Sequence, residues 1–376
     1  LSGRWRTWVA PLLNWRDRLL SNPDFQRRSL RLPLVRMIAR RRMRALFDLC
    51  SGFVYSQVLL ACTRLGLLEM LAESPRAAAE LATALDLPRA SLDRLLEAAE
   101  SLKLIDVRDR GRFGLGPLGA ALLGNPSVAM MIEHHSALYS DLSDPVALMR
   151  GERKSTDLGQ FWAYSKNPSP TALKPEDIAA YSRLMAASQA LIAEQVLTAY
   201  SLRRHRRLLD VGGGEGAFAA AAMHRHARLE ACVFDLPPVA ERARARFDQL
   251  GFGGRGNACG GDFLADPLPA GHDLVSLVRV LHDHDDEAAM QLLRAIRRAI
   301  DPQGIILIAE PMLGTRGAEP VGAAYFGFYL MAMGQGRARS SAQIGAMLES
   351  AGFSAVRAYR TSAPLLARVL TARPGG

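Results

Sequence analysis

The sequence predicts an α/β protein, with a mostly parallel sheet in its second half and a smaller helical module before it. Three observations carry this reading. Short apolar strands alternate with helical stretches from about residue 201 onward, and such alternation buries both faces of a parallel sheet. A glycine-rich turn, Asp210-Val211-Gly212-Gly213-Gly214-Glu215-Gly216-Ala217, closes the first of those strands. Residues 79–113 read as helix, turn, helix and hairpin, the winged-helix layout.

Length and composition agree. The 376 residues suggest two domains at roughly 100–200 residues each. With 49% hydrophobic and 22% charged residues, wholesale disorder is excluded. Four Cys make neither a disulfide framework nor a Cys-x-x-Cys metal site, so a reduced, cytoplasmic setting is expected. The chain divides into four segments: a basic arm at 1–44, the winged-helix module at 45–125, a helical connector at 126–200 and the sheet domain at 201–376.

The arm holds twelve Arg against Asp17 and Asp24, so it carries the whole net charge of +10. Trp5, Trp8, Leu12, Trp15 and Leu19 fall on one stripe of a helix. Pro11 should kink that helix or confine it to the residues after the proline. Trp beside Arg suits the headgroup level of an anionic bilayer; the same stripe could pack on the rest of the protein or on a second subunit. No secretory signal is expected. The charge-free run Phe113–Ile132 is broken by glycines and prolines, so no good membrane span is expected.

Residues 45–72 should be helical and buried. Ser91 is placed to cap the second helix of the winged module, and Ile105–Phe113 forms the wing. Asp93, Glu97 and Glu100 make that second helix acidic, which repels phosphate and argues against nucleic acid. Residues 125–200 should be mostly helical, with a loop at Asn167-Pro168-Ser169-Pro170. Strands are expected at 208–211, 229–234, 273–280 and 305–309, a helix at 286–300, and closing strands near 353–359 and 364–371.

The glycine turn alone also fits a dinucleotide fingerprint. Asp210 and Glu215 would repel a pyrophosphate, but Asp210 suits a cation or an ammonium group. Asp235, ending the next strand, can take ribose hydroxyls. Asp262 and Phe263, after Gly261, can meet an adenine amino group and ring face. A positively charged nucleoside without phosphates fits these residues: S-adenosylmethionine. His282 in Arg279-Val280-Leu281-His282-Asp283-His284-Asp285-Asp286 lies at the ligand end of a strand and is a candidate base. Asp285 and Asp286 read as helix-cap and first-turn carboxylates, so no metal is expected.

Together the glycine loop, Phe234-Asp235-Leu236-Pro237, Gly261-Asp262-Phe263 and Arg279-x-x-His282-Asp283 resemble the class I S-adenosylmethionine-dependent O-methyltransferases, in the branch of caffeate and acetylserotonin enzymes. The resemblance runs from about residue 45 to the end. It implies a Rossmann-like methyltransferase sheet, an N-terminal winged-helix domain used for homodimerisation, and His282 as base. It places the cofactor on Asp210, Gly212, Gly214, Asp235, Leu236, Gly261, Asp262, Phe263 and Arg279. Two departures stand out. His284 occupies the position of a usual Trp. Arg337-Ala338-Arg339-Ser340 lacks the carboxylate that plant members place before an Arg-Thr pair. The other family carboxylate falls on Glu310, expected to orient His282 through Nδ1.

An apolar acceptor is expected from Tyr325, Phe328, Tyr329 and the Met residues beside them, with Met130, Phe161, Trp162 and Met185 joining; ordinary helix core or a subunit interface would use the same residues. The runs Pro33–Arg42, Phe47-Asp48 and Gly52–Val58 further resemble the carotenoid 1-hydroxy O-methyltransferases of purple phototrophic bacteria, the hydroxyneurosporene or demethylspheroidene enzymes. That resemblance implies methylation of a tertiary hydroxyl on a linear carotenoid, next to a photosynthetic membrane. Tetrapyrrole or polyketide methylation is the runner-up, and a winged-helix regulator that senses S-adenosylmethionine is the non-enzyme alternative.

Overall fold

The computed structural model describes residues 4–29, 33–161 and 189–376. It divides into two units, Leu1–Gly124 and Asn125–Gly376.

The first unit opens with α1 (Arg4–Ser21), α2 (Pro23–Ser29) and the long α3 (Pro33–Arg64). The first helix runs straight through Pro11 rather than starting after it. Residues 41–50 of α3 are all exposed, so the expected burial from residue 45 holds only further along, at Leu60 and Cys62. Nor is the expected lack of a membrane-length segment correct: Val35–Arg64 is long and apolar enough to span one by length and composition. It is not a charge-free run: Arg36, Arg40, Arg41, Arg42 and Arg44 lie towards its start and Arg64 closes it, and Asp48 is the one acidic residue between them.

Next come α4 (Leu67–Glu73), α5 (Ala78–Ala84) and α6 (Arg89–Ser101). The last of these buries Leu92, Leu96 and Ala99, a stripe of helical spacing. It opens two residues before Ser91, with Pro88 at the N-cap and no side-chain cap; Pro fixes a φ suited to that entry. Strands β1 (Ile105–Val107) and β2 (Phe113–Leu115) pair antiparallel as the wing, and α7 (Pro117–Leu123) closes the unit.

The second unit begins with α8 (Pro126–Asp141), α9 (Pro145–Met149), α10 (Asp157–Phe161) and α11 (189–199). Then come β3 (Arg207–Val211), α12 (Ala217–Arg225), β4 (Glu230–Asp235), α13 (Pro237–Gln249), β5 (Gly256–Gly260), β6 (His272–Val278), α14 (Asp286–Ala299) and β7 (Ile300–Glu310). The chain ends in α15 (Phe326–Met333), α16 (Ser341–Ser350), β8 (Phe353–Tyr359) and β9 (Arg368–Pro374). The seven-stranded sheet has the order β5-β4-β3-β6-β7-β9-β8, with β9 antiparallel to both neighbours.

Alternation along each strand sorts the core into two layers. Leu208, Val233, Leu274 and Leu307 pack with Phe218 and Phe247 from α12 and α13. Leu209, Phe234, Val275 and Ile306 pack with Leu292 and Ile296 of α14 and Ile344 of α16. Burial on both faces explains why β3, β6 and β7 read as continuous apolar runs. The chain reverses its direction of progression between β3 and β6, which opens a crevice beyond their carboxyl ends.

Candidate active site

The glycine turn lies at that switch point. Gly212, Gly214 and Gly216 all have positive φ, at 67°, 58° and 73°, a region costly to residues with a Cβ. Their surroundings differ. A Cβ on Gly216 would lie 2.6 Å from the Phe247 ring, whereas one on Gly214 would enter open space. Gly216 is therefore demanded by packing, and Gly214 lines a cradle.

Asp210 sits under the turn, 1% exposed. Its Oδ1 accepts a 2.5 Å hydrogen bond from Ser276 Oγ, and its Oδ2 has no partner among the described residues. Burial pushes its pKa up to about 7, offset in part by the Ser276 bond and reinforced by Asp235. Asp235 ends β4 and accepts from Gly214 N and Leu236 N, both at 2.8 Å. Burial raises it to about 6 despite those bonds. Gly261 N donates to Asp235 O at 2.9 Å, and a Cβ at Gly261 would strike the Phe234 ring at 2.5 Å. Asp262 is exposed and folds its Oδ1 onto Leu264 N at 2.9 Å, a turn contact. Phe263 meets the ring of His284 edge-on at 5.1 Å. Arg279 takes a left-handed φ of 58° where the chain leaves β6, and its N–H donates to Ala309 O at 2.8 Å.

His282 lies in a short 3-10 turn, Leu281–Asp283, and is 3% exposed. Its Nε2 stands 3.0 Å from Asp283 Oδ1, while Nδ1 has no partner among the described residues. Burial alone would lower its pKa. The Asp283 charge and hydrogen bond, with Glu310 behind them, outweigh burial and hold it above the usual imidazole value. Glu310 is fully buried at the end of β7. Its Oε2 accepts from the backbone N–H of His282 at 3.1 Å. The expected contact from Glu310 to Nδ1 is thus corrected: Glu310 grips the main chain of His282, and Asp283 is the carboxylate on the ring. The tight 3-10 turn swings the neighbouring side chain onto the imidazole, a geometry that strand register alone does not reveal.

Asp285 stands at the N-cap of α14 as expected, but its side chain makes no capping hydrogen bond. Asp285 Oδ1 accepts from Gly336 N at 3.2 Å, and Asp286 pairs with Arg337 and Arg339.

The aromatic segment forms one wall. Phe326 lies 5.5 Å from the His282 ring, and Tyr325 stacks on Tyr329 at 5.8 Å. Two residues that the sequence reading does not single out complete it: His135 Nε2 meets Tyr325 Oη at 2.7 Å, and His134 Nε2 meets Tyr329 Oη at 2.8 Å. Burial lowers His135 and takes His134 to about 4, so both are neutral near pH 7. The adjacent pair of His on one helix is the signal that could have found them. Met130 and Phe328 are half-buried. Phe161 ends α10, while Trp162 and Met185 lie outside the described residues.

The chain is extensively similar to known proteins. The profile of the O-methyltransferase domain matches residues 139–354, and that of the O-methyltransferase dimerisation domain matches residues 47–125. A demethylspheroidene O-methyltransferase of Cereibacter sphaeroides is 42% identical over 355 residues, covering 94% of this chain and 93% of that one. An acetylserotonin O-methyltransferase of Mus musculus is 33% identical, covering 89% and 90%. The crystal structure of human N-acetylserotonin methyltransferase in complex with SAM superposes with a TM-score of 0.74, at 27% identity, over 89% of this chain and 98% of that one.

Proposed function

Because this chain belongs to the O-methyltransferase family, we propose that it methylates the tertiary 1-hydroxyl of an acyclic hydroxycarotenoid, using S-adenosylmethionine. The observation that carries the chemistry is the buried imidazole of His282, bound to a carboxylate on one nitrogen and, among the described residues, unpartnered on the other. The acceptor is inferred from the demethylspheroidene relatives, 42% and 41% identical, and from the aromatic wall beside that imidazole.

The residues present fit the cofactor. Asp210 Oδ2 is a buried acceptor lacking a donor among the described residues, suited to a positive group. Gly214 leaves open space where any side chain would intrude. Each Asp235 oxygen keeps a second lone pair for a ribose hydroxyl. Asp262, Phe263 and Arg279 border the adenine side. When bound, S-adenosylmethionine supplies an electrophilic sulfonium methyl group.

The protein's own part is placement and proton removal. An alcohol is about as weak an acid as water, near 15.7, whereas a His has a pKa of about 6.5. Full deprotonation before transfer would cost about nine units, on the order of 12 kcal/mol. His282 therefore takes the proton as the oxygen becomes bonded to carbon, not before. With Nε2–H given to Asp283, the receiving lone pair is on Nδ1. Such assistance is worth roughly 10²–10⁴-fold, and holding the oxygen in line contributes about 7–11 kcal/mol.

The dimerisation module pairs two copies, and the exposed Phe47, Leu49, Phe53 and Val54 of α3 fall within it. The arm before it has a different partner. Leu12 and Trp15 are 68% and 63% exposed, among twelve Arg. Two such arms would repel each other, whereas an anionic membrane complements them and holds the apolar acceptor.

The test is incubation with methyl-labelled S-adenosylmethionine and either a 1-hydroxycarotenoid or a soluble phenol. Label should enter a carotenoid methoxy group. Ready methylation of the phenol with the carotenoid untouched would falsify the assignment.

A further inference from the structure

The turn that carries His282 is gripped by a segment far along the chain. After α15 ends at Met333, with Gly334 as its C-cap, Gly336-Arg337-Ala338-Arg339 runs alongside residues 281–286. Arg339 is 1% exposed. Its Nη1 donates to Leu281 O at 2.9 Å and its Nη2 to His284 O at 2.8 Å. Its Nε donates to Asp286 Oδ1 at 2.8 Å. Arg337 N donates to His282 O at 2.7 Å. The carbonyls of residues 281, 282 and 284 are thus all held from this one segment.

Gly336 completes the fit. Its φ is +91°, and a Cβ there would lie 2.6 Å from His282 O and 2.9 Å from Asp283 C. Only glycine lets the segment approach the base this closely. A buried guanidinium is costly unless its donors are satisfied, and here the Asp286 carboxylate together with main-chain carbonyls of the catalytic turn satisfy it.

We propose that Gly336–Arg339 is a positioning clasp for the base, fixing the main chain of residues 281–284 so that His282 stays on Asp283. It takes over a task that the sequence resemblance assigns to a carboxylate at the position of Ala338. The inference rests on the reading of His282 as base. Arg339 and Gly336 touch neither acceptor nor cofactor in this role. Because the clasp begins three residues after the aromatic helix α15, the acceptor wall and the holder of the base are one continuous piece of chain.

The test uses the full-length enzyme with Arg339→Met, Gly336→Ala and His282→Ala, alone and combined. Displacing a reacting group by about 1 Å can cost about 10²-fold in rate. Arg339→Met and Gly336→Ala should each lower kcat by that order, with acceptor KM and S-adenosylhomocysteine affinity within about twofold. Arg339→Lys should recover part of the loss. In the His282→Ala background neither variant should lower the residual rate further, because the group they position is gone. If Arg339→Met does not fold, Gly336→Ala, which keeps the buried charge satisfied, carries the test. Equal losses with and without His282, or no loss in either variant, overturn the clasp while leaving His282 as base. Full activity of His282→Ala overturns both.

Discussion

Binding of S-adenosylmethionine should release protons, and the reason lies under the glycine turn. Asp210 is raised to about 7 and Asp235 to about 6, each chiefly by burial. At pH 6 a carboxyl of pKa about 7 is about nine-tenths protonated. A positive ligand favours the ionised form, so the proton leaves as the ligand arrives. Affinity should then strengthen with rising pH and level off above about 7. From pH 8 down to pH 5 the fraction of ionised Asp210 falls on the order of 10²-fold, and affinity should fall by about that factor. The folding sign is opposite. A carboxyl whose folded pKa is raised holds a proton that the unfolded chain sheds, so the stability of ligand-free protein declines as pH rises from about 4 to about 7. Isothermal titration calorimetry with S-adenosylhomocysteine, at pH 6 in two buffers of different ionisation heat, should report uptake by the buffer of about one proton per site. Asp210→Asn should abolish most of this slope and weaken binding at pH 8. Ser276→Ala removes the bond that holds the carboxyl down, and should move the titration to higher pH. Affinity that is flat between pH 5 and 8 in the native enzyme refutes the reasoning.

Three further outcomes are expected of the site and the arm. Replacing His282 with Ala should reduce turnover roughly 10²–10⁴-fold while S-adenosylhomocysteine still binds; a regulator that only senses the nucleoside would keep its output. Gly214→Ala should cost about 1–2 kcal/mol of backbone strain and lose cofactor affinity, read by titration. Gly216→Ala, which adds a clash with Phe247, should instead lower the melting temperature further than Gly214→Ala does. Deleting residues 1–44 should remove co-sedimentation with anionic vesicles, and salt at about 0.5 M should weaken the native binding by screening; unchanged sedimentation of the deletion shows that the arm is not the anchor.

Much of this molecule is readable from its residues because the relevant physics is local. Strands β3, β6 and β7 are buried on both faces and so announce themselves as apolar runs. The glycine turn and Asp235 sit at strand ends, where chain order predicts a ligand. β5 is harder, since Gly256-Asn257-Ala258-Cys259-Gly260 has no apolar pattern and lies at the sheet edge beside β4 alone. The ring partner of His282 is hidden because strand logic points to Glu310, whereas a 3-10 turn brings Asp283 onto the imidazole. Arg339 reads as one more surface cation, and only the fold shows it sealed among carbonyls of a turn distant in sequence. The outer part of α3 reads as core because composition cannot tell an exposed apolar helix face from an interior.

The position of β9 bears on how this enzyme is made. It is the last of the seven strands in chain order, yet it lies inside the sheet, between β7 and β8. While the ribosome is still producing residues 368–374, the strand ending in Glu310 has one flank open. A nascent or truncated chain thus displays a bare apolar ribbon, prone to pairing with strangers. The flank of β7 beside Glu310 is therefore covered only once the final hairpin is in place.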